Sequence, residues 1–314
     1  MNSRYLALAL LGLSALGCDV SSRHATARFD VSGHVRDVAA YKDTLLAATD
    51  ISLLTYDISA PESPRALRVV PLGQRVNCLI VIDGTAYVGT DSGIAVCTVA
   101  GGTNAELYCG GTSQTVTGLT ADSTRLFAAT GDGVTVFKLA ELESTRFIPL
   151  AGEPTGVARH DSRLFVSLDD WGLRVLNILP GDSFVLDTMH LGAHVRAEGV
   201  TVSSGGYCII SQGPSGVLTY YTPAPDSFPF GGGGGGGDRS AYAAAATDGV
   251  EQAAFYLADS SAVTFTEIVN RPGTVSFGEE IGPDLEGFTR SICLGGNGYV
   301  YTASGDAGIY IIRE

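Results

Sequence analysis

Apolar residues in this chain fall in short runs that are separated by turns rich in glycine and aspartate. Residues 126–139, LFAATGDGVTVFKL, show the pattern, since two apolar runs flank a Gly-Asp-Gly turn. β-Branched and aromatic residues dominate the runs and helical spacing is absent, so each run predicts a short strand and each turn a hairpin. The pattern therefore predicts an all-β chain.

The hairpin pattern recurs seven times. The copies begin at Val35, Val76, Val116, Pro154, Ala197, Ala241 and Thr289. Their anchor residues lie about 40 positions apart, a period typical of a four-stranded propeller blade. One apolar strand position carries Leu46, Tyr87, Phe127, Phe165, Cys208, Phe255 and Val300. Each copy supplies three strands, and a fourth, outer strand follows it.

The last copy ends without an outer strand, and residues 26–31, TARFDV, precede the first copy. Pairing that segment beside residues 308–313 would close the ring and remove the open edge. We therefore predict a seven-bladed β-propeller over residues 26–314. A six-bladed ring is the alternative, because the sixth copy is Ala-rich (Ala243–Ala246) and has no standard turn.

The hairpin unit resembles the LVIVD repeat of bacterial surface and periplasmic propellers. The stretches AYVGTDSGIAVCTV and LFVSLDDWGLRVLNI carry the resemblance. The acidic residue that this family has late in the strand is present as Asp57, but Thr98, Lys138 and Asn177 stand at the equivalent positions. The resemblance implies a propeller of the bacterial cell envelope, facing the periplasm or the cell surface, and says little about function.

The first residues predict a secretory signal. Arg4 precedes an apolar run over residues 5–16, which is short for a membrane span. Ala15, Leu16 and Gly17 before Cys18 resemble the bacterial lipobox, which implies cleavage after residue 17 and lipidation of Cys18. We predict a signal peptide over residues 1–17, a tether over 18–25 and attachment to the inner or outer membrane through the lipid alone. An ordinary signal peptide that is cut nearby is the alternative.

The chain carries a net charge of −14 and has no basic cluster. Nucleic-acid binding needs cations against phosphates, so this balance argues against a nucleic-acid partner. No nucleophile elbow, phosphate loop or paired CxxC motif is present, and we predict no catalytic residue, metal site or cofactor.

The connections between blades vary most from copy to copy, and they meet at the mouth of the central channel. We predict a ligand-binding set there, suited to a protein, a peptide or an anionic small molecule. Its members are Arg36, Arg75, Glu153, Trp171, His194, Arg196, Glu198 and Arg290. The alternative for the charged members is solvated or mutually paired surface charge, and for Trp171 it is packing over its own blade.

Two further groups have both a structural and a functional interpretation. Aspartates in the tight turns, such as Asp50 and Asp91, form a ring that would attract a cation, but aspartate is also what such turns commonly use. Cys97 and Cys109 lie on adjacent predicted strands, where an oxidising compartment would allow a disulfide. Buried free thiols are the alternative.

These observations favour a lipid-anchored envelope propeller that acts as a non-catalytic binding or scaffolding module through its loop face. The alternative is an envelope hydrolase or lyase with its site at the channel mouth, which would need several ionisable groups to converge on one point. A calcium-stabilised structural disc is a third hypothesis.

Overall fold

The computed structural model describes residues 25–99, 106–108, 114–180, 183–186, 196–221, 233–234, 241–246, 253–258, 263–268, 276–281 and 285–313. Within these ranges the strands form seven four-stranded antiparallel sheets. Each sheet corresponds to one sequence repeat, so the predicted all-β propeller is confirmed.

The first four sheets take their strands in chain order, from the innermost strand to the outermost. Sheet 1 contains β2 (Val35–Tyr41), β3 (Thr44–Thr49), β4 (Ser52–Asp57) and β5 (Arg65–Pro71); sheet 2 contains β6 (Val76–Ile82), β7 (Thr85–Thr90), β8 (Gly93–Thr98) and β9 (Glu106–Tyr108); sheet 3 contains β10 (Val116–Ala121), β11 (Arg125–Thr130), β12 (Gly133–Lys138) and β13 (Ser144–Pro149); sheet 4 contains β14 (Pro154–His160), β15 (Arg163–Leu168), β16 (Gly172–Leu179) and β17 (Ser183–Leu186).

The remaining three sheets complete the series. Sheet 5 contains β18 (Gly199–Val202), β19 (Tyr207–Ser211), β20 (Val217–Tyr221) and β21 (Gly233–Gly234); sheet 6 contains β22 (Ala243–Ala246), β23 (Ala253–Ala258), β24 (Val263–Ile268) and β25 (Ser276–Ile281); sheet 7 contains β26 (Ser291–Gly295), β27 (Tyr299–Ala303), β28 (Ile309–Arg313) and β1 (Ala25–Phe29).

The sheets are arranged in a closed ring. Each innermost strand contacts the innermost strand of the next sheet, and β26 contacts β2 to complete the circuit. The segment at the beginning of the chain pairs with the end of the chain as predicted, since Phe29 lies opposite Ile309 and Ala27 opposite Ile311. The Ala-rich sixth copy forms its own four-stranded sheet.

The core lies between neighbouring sheets. Leu45 and Leu46 are adjacent in β3 and both fully buried. Leu45 packs with sheet 7 residues such as Tyr301, whereas Leu46 packs with sheet 2 residues such as Val88. Successive side chains of a strand point to opposite faces, so a sheet that is covered on both faces needs an uninterrupted apolar run. This is why the middle strands show apolar runs with little alternation.

In most sheets, glycine is the first residue of the third strand or directly precedes it, for two different reasons. Gly172, Gly216 and Gly308 have φ of 69°, 85° and 85°, a conformation that residues with a Cβ rarely adopt. Gly133 does not have a positive φ. A Cβ at Gly133 would instead collide with the carbonyl oxygen of Ile148 on β13. There, close approach of the outer strand is what requires glycine.

Candidate functional site

At the mouth of the channel, one buried residue lies at the start of each innermost strand or two residues before it. These residues are Val35, Val76, Val116, Pro154, Ala197, Ala241 and Thr289. Arg75 and Asn77 lie on either side of Val76, and Phe288 and Arg290 lie on either side of Thr289.

These flanking residues line a cavity of about 200 Å³. Sheets 1, 2 and 7, or the residues directly before them, contribute the three arginines, which we call the basic side, and residues directly before sheets 5 and 6 contribute Glu198 and Tyr242. The lining residues are Arg36, Arg75, Asn77, Glu198, Tyr242, Phe288 and Arg290. We call this cavity the mouth pocket.

Four residues of the predicted ligand-binding set therefore meet in one pocket: Arg36, Arg75, Glu198 and Arg290. They are far apart in the sequence and are brought together only by closure of the ring. Asn77, Tyr242 and Phe288 were missed by the sequence analysis. The signal that would have found them is their place beside the buried residue at, or two positions before, the start of an inner strand.

Ion pairs hold two of the lining side chains. Arg36 Nε and Nη2 each lie 2.6 Å from Asp50 Oδ1, and the Arg36 side chain is only 17% exposed. Glu198 Oε1 lies 2.9 Å from Arg196 Nε, which is also 3.1 Å from Asp169 Oδ1. These contacts restrict the Arg36 and Glu198 side chains, so this part of the pocket is formed before any ligand arrives.

Aromatic contacts shape the part of the pocket around Arg290. The rings of Tyr242 and Phe288 meet edge to face with their centroids 4.2 Å apart. The Arg290 guanidinium carbon lies 5.3 Å from the Phe288 ring centroid, within cation–π range. The aromatic pair therefore orients a guanidinium group at the pocket edge.

The remaining predicted residues lie outside the pocket lining. Glu153 is exposed, and its carbonyl oxygen accepts a hydrogen bond from the Asp169 amide at 3.0 Å. Trp171 is 42% exposed, and its ring lies against Gly152 in the connection between sheets 3 and 4, where a Cβ would come within 2.6 Å of the ring. Arg196 acts on the pocket only through Glu198. Glu153 and Trp171 are therefore not among the residues that line the mouth pocket, and their part in ligand binding stays a prediction.

Three predicted sites fall partly or wholly outside the described residues. His194 and the lipidation residue Cys18 belong to segments that the structure does not describe, as does Cys109. Cys97 is buried. The disulfide between Cys97 and Cys109 stays a prediction.

The turn aspartates have partners at the mouth. Asp50 pairs with Arg36, Asp91 Oδ1 accepts a hydrogen bond from the Asn77 amide at 2.9 Å, and Asp306 Oδ1 lies 3.0 Å from His34 Nδ1. Their carboxylates thus position side chains of the inner strands in addition to shaping turns. Within the described part of the chain, no cluster of three or more potential metal ligands occurs.

Asp37 is a carboxylate on β2 that the sequence analysis overlooked. Its oxygens accept hydrogen bonds from the Val38 amide at 2.8 Å and the Leu79 amide at 2.6 Å, and from the Ser291 hydroxyl. Burial raises the pKa of Asp37 to about 6, although these three hydrogen bonds oppose the shift. Asp37 therefore joins the inner strands of sheets 1, 2 and 7 just where the ring closes.

Comparison with known proteins supports the fold and goes no further. No family model matches the chain, and no curated protein matches it by sequence. Among solved structures, the WD40 repeats of RRP9 superimpose with a TM-score of 0.73 at 13% identity, covering 93% of this chain and 98% of that one. The propeller domain of Cps50 (Swd1) from Myceliophteria thermophila gives a TM-score of 0.71 at 12% identity, covering 93% and 99%.

A third match is a chain of the mitotic checkpoint complex, with a TM-score of 0.72 at 12% identity that covers 100% of this chain and 99% of that one. At these identities the likeness establishes a propeller fold with WD40-type neighbours. Among the described residues there is also no helix with the length and apolar character needed to cross a membrane.

Proposed function

We propose that this chain is a lipid-anchored, seven-bladed propeller of the cell envelope that binds a protein or peptide partner through the mouth of its channel. In this role it is a non-catalytic binding or scaffolding module. The observation that carries the proposal is the mouth pocket, where Arg36, Arg75, Glu198 and Arg290 meet from separate sheets.

The chemistry of the lining residues favours binding over catalysis. Arginine, asparagine and paired aromatic rings recognise charge and shape, and they are common anchors of protein interfaces. Cys78 and Cys293, whose thiols would be nucleophiles, sit in the inner strands, where burial raises the pKa of both thiols and disfavours the reactive thiolate. The WD40-type neighbours fit this role, and one of them belongs by its name to a multiprotein complex.

The proposed location rests on the sequence. The Ala15–Leu16–Gly17–Cys18 stretch resembles a lipobox, and the repeats resemble those of LVIVD-type envelope propellers. In a bacterial host, Cys18→Ala should abolish incorporation of labelled palmitate and release the protein from the membrane fraction. Unchanged labelling and fractionation would contradict the anchor.

The binding role is tested by chemical cross-linking in intact cells followed by affinity isolation and identification of the captured proteins. Arg75 and Arg290 are both exposed, so replacing them with alanine removes pocket charge without opening the core. Arg65→Ala is the matched control, because this exposed arginine lies on the outer strand β5 and pairs with Asp57.

We expect a defined partner to be captured by the wild type and by the Arg65→Ala variant, and to be lost from the Arg75→Ala/Arg290→Ala variant. The identified partner should then bind the purified wild-type chain directly. Equal capture by all three forms would show that the mouth is not the binding face.

A further inference from the structure

The mouth pocket is a local concentration of positive charge on an acidic protein. Its lining contains three arginines against the single carboxylate of Glu198, while the whole chain carries a net charge of −14. Asp50 neutralises Arg36, and Arg196 neutralises Glu198. Arg75 and Arg290 form no ion pair with any residue that the structure describes, so they are the cations that remain for a ligand.

The two remaining cations are arginines, which restricts the kind of anion they suit. A guanidinium group presents its N–H donors in a planar fork that matches the two oxygens of a carboxylate. Stacking over Phe288 holds the Arg290 guanidinium in place at 5.3 Å from the ring centroid. A guanidinium group whose position is already fixed loses less side-chain entropy on binding than a mobile guanidinium group does.

The size of the cavity indicates a small occupant. Its volume of about 200 Å³ is below the range of roughly 300–1,000 Å³ that is usual for drug-sized ligands. One carboxylate-bearing side chain fits such a space. The Tyr242–Phe288 pair provides a wall against which the methylene stem of that side chain can pack.

Resting on the proposed function, we propose that the mouth pocket receives an acidic side chain from an extended segment of the protein partner. Arg75 and Arg290 bind its carboxylate, and Phe288 orients Arg290. The partner segment therefore presents a glutamate or an aspartate to the pocket, and electrostatic attraction to the basic side of the mouth guides its approach.

The test measures binding of short fluorescent peptides to the purified chain by anisotropy at low and physiological salt. The probes are a capped polyglutamate peptide and a polyglutamine peptide of the same length. We expect polyglutamate to bind at least about tenfold more tightly than polyglutamine, and to weaken as salt is added because the contact is ionic. Equal binding of the two peptides would overturn the proposal.

Four variants assign the effect to the pocket. Arg75→Ala and Arg290→Ala should each weaken polyglutamate binding by about tenfold, the scale of one lost charged contact. Arg290→Lys should bind less tightly than the wild type, because it keeps the charge but loses the fork. Arg65→Ala should leave the affinity unchanged. Undiminished binding by both alanine variants of the pocket would contradict the assignment.

Competition separates the possible sources of the anion. Glutarate should displace the peptide only weakly, since it lacks the peptide's other contacts, and inorganic phosphate should be no better. If glutarate binds as tightly as the peptide, the ligand is a free small acid. If phosphate competes better than glutarate, the site is a general anion site. Either result overturns the proposal.

The peptide experiment and the cellular experiment test different claims, so a negative result in one does not decide the other. If partner capture depends on Arg75 and Arg290 but polyglutamate does not bind, the proposed function stands. Only the proposal that the partner's segment is acidic is then rejected. Capture that is unchanged in the Arg75→Ala/Arg290→Ala variant would overturn the proposed function itself, whatever the peptides do.

Discussion

At the scale of single residues, one tight packing constraint lies where inner strands of neighbouring sheets meet. A Cβ at Gly118 on β10 would lie 2.8 Å from Gly156 Cα and from the Val157 nitrogen on β14. Real Cβ atoms do not approach main-chain atoms so closely. Beside this glycine, the Thr117 hydroxyl donates a hydrogen bond to the Pro154 carbonyl at 2.7 Å. Because position 118 has no side chain, β10 and β14 can approach closely enough for this hydrogen bond to form.

We expect Gly118→Ala to destabilise the fold by about 1–3 kcal/mol, because backbone must move to admit the methyl group. Gly131→Ala is the matched control, since nothing lies within 4 Å of a Cβ built there and Gly131 is not among the glycines with positive φ. Urea unfolding monitored by circular dichroism compares the two variants. Equal midpoints would show that the sheets do not pack as described.

Asp37 is the other residue with a clear energetic consequence. Its folded-state pKa of about 6 lies above the ordinary value of 3.8, so the folded chain binds this proton more tightly than the unfolded chain does. The stabilisation from protonating Asp37 is therefore fully present below about pH 4 and is lost as the pH rises through about 6.

We predict that Asp37→Asn is at least as stable as the wild type at pH 7.5, because it removes a buried charge while its amide oxygen still accepts one amide bond. The relative advantage should shrink by about 2 kcal/mol between pH 7.5 and pH 4.5, because the wild type gains about 1.4 kcal/mol for each pH unit below the folded-state pKa of about 6. Urea midpoints of both proteins across this range isolate Asp37 from the other titrating carboxylates. A stability difference that does not vary with pH would contradict the raised pKa.

At the scale of elements, closure of the ring depends on β1. This strand pairs with β28, and its Phe29 ring also meets Tyr56 of sheet 1 edge to face, with centroids 5.0 Å apart. One short strand thus belongs to the last sheet and packs on the first. The joint between the two ends of the chain is therefore made of both hydrogen bonds and ring contacts.

We expect Phe29→Ala to lower the free energy of unfolding by about 2 kcal/mol, since the change removes partly buried ring area and an aromatic pair. Phe147→Ala on the outer strand β13 is the control, because Phe147 is 42% exposed. It should change stability by less than about 0.5 kcal/mol. Thermal melts compare the stabilities of the two variants. A larger loss of stability in Phe147→Ala than in Phe29→Ala would contradict the ring closure described here.

The elements could be predicted from the sequence largely because each sheet is buried on both faces. Apolar runs in strands such as β3 and β11 mark them directly, and the repeat fixes their order. Strand ends were less predictable, since β13 begins at Ser144 where the apolar signal begins later. The sequence analysis missed Asp37 because its partners, Leu79 and Ser291, are on other sheets. No local sequence pattern indicates these hydrogen bonds.

At the scale of the whole molecule, ring closure creates the site. Arg75 and Arg290 are separated by most of the chain, yet both line one pocket. The sequence identified the arginines, since variable loop positions concentrate at the mouth. The sequence did not show that Arg36, Glu198 and Arg290 line the pocket whereas Glu153 and Trp171 do not. Which residues line it depends on contacts such as that of the Trp171 ring with Gly152.

The measurement that tests the central claim most directly is site-specific photo-cross-linking in intact cells. Thr115 is exposed and occupies the repeat position of Arg75, whereas Ser144 is exposed on the outer strand of the same repeat. With benzoylphenylalanine at each position in turn, we predict a partner adduct from position 115 and none from position 144. An adduct from position 144 alone, or equal adducts from both, would contradict binding through the channel mouth.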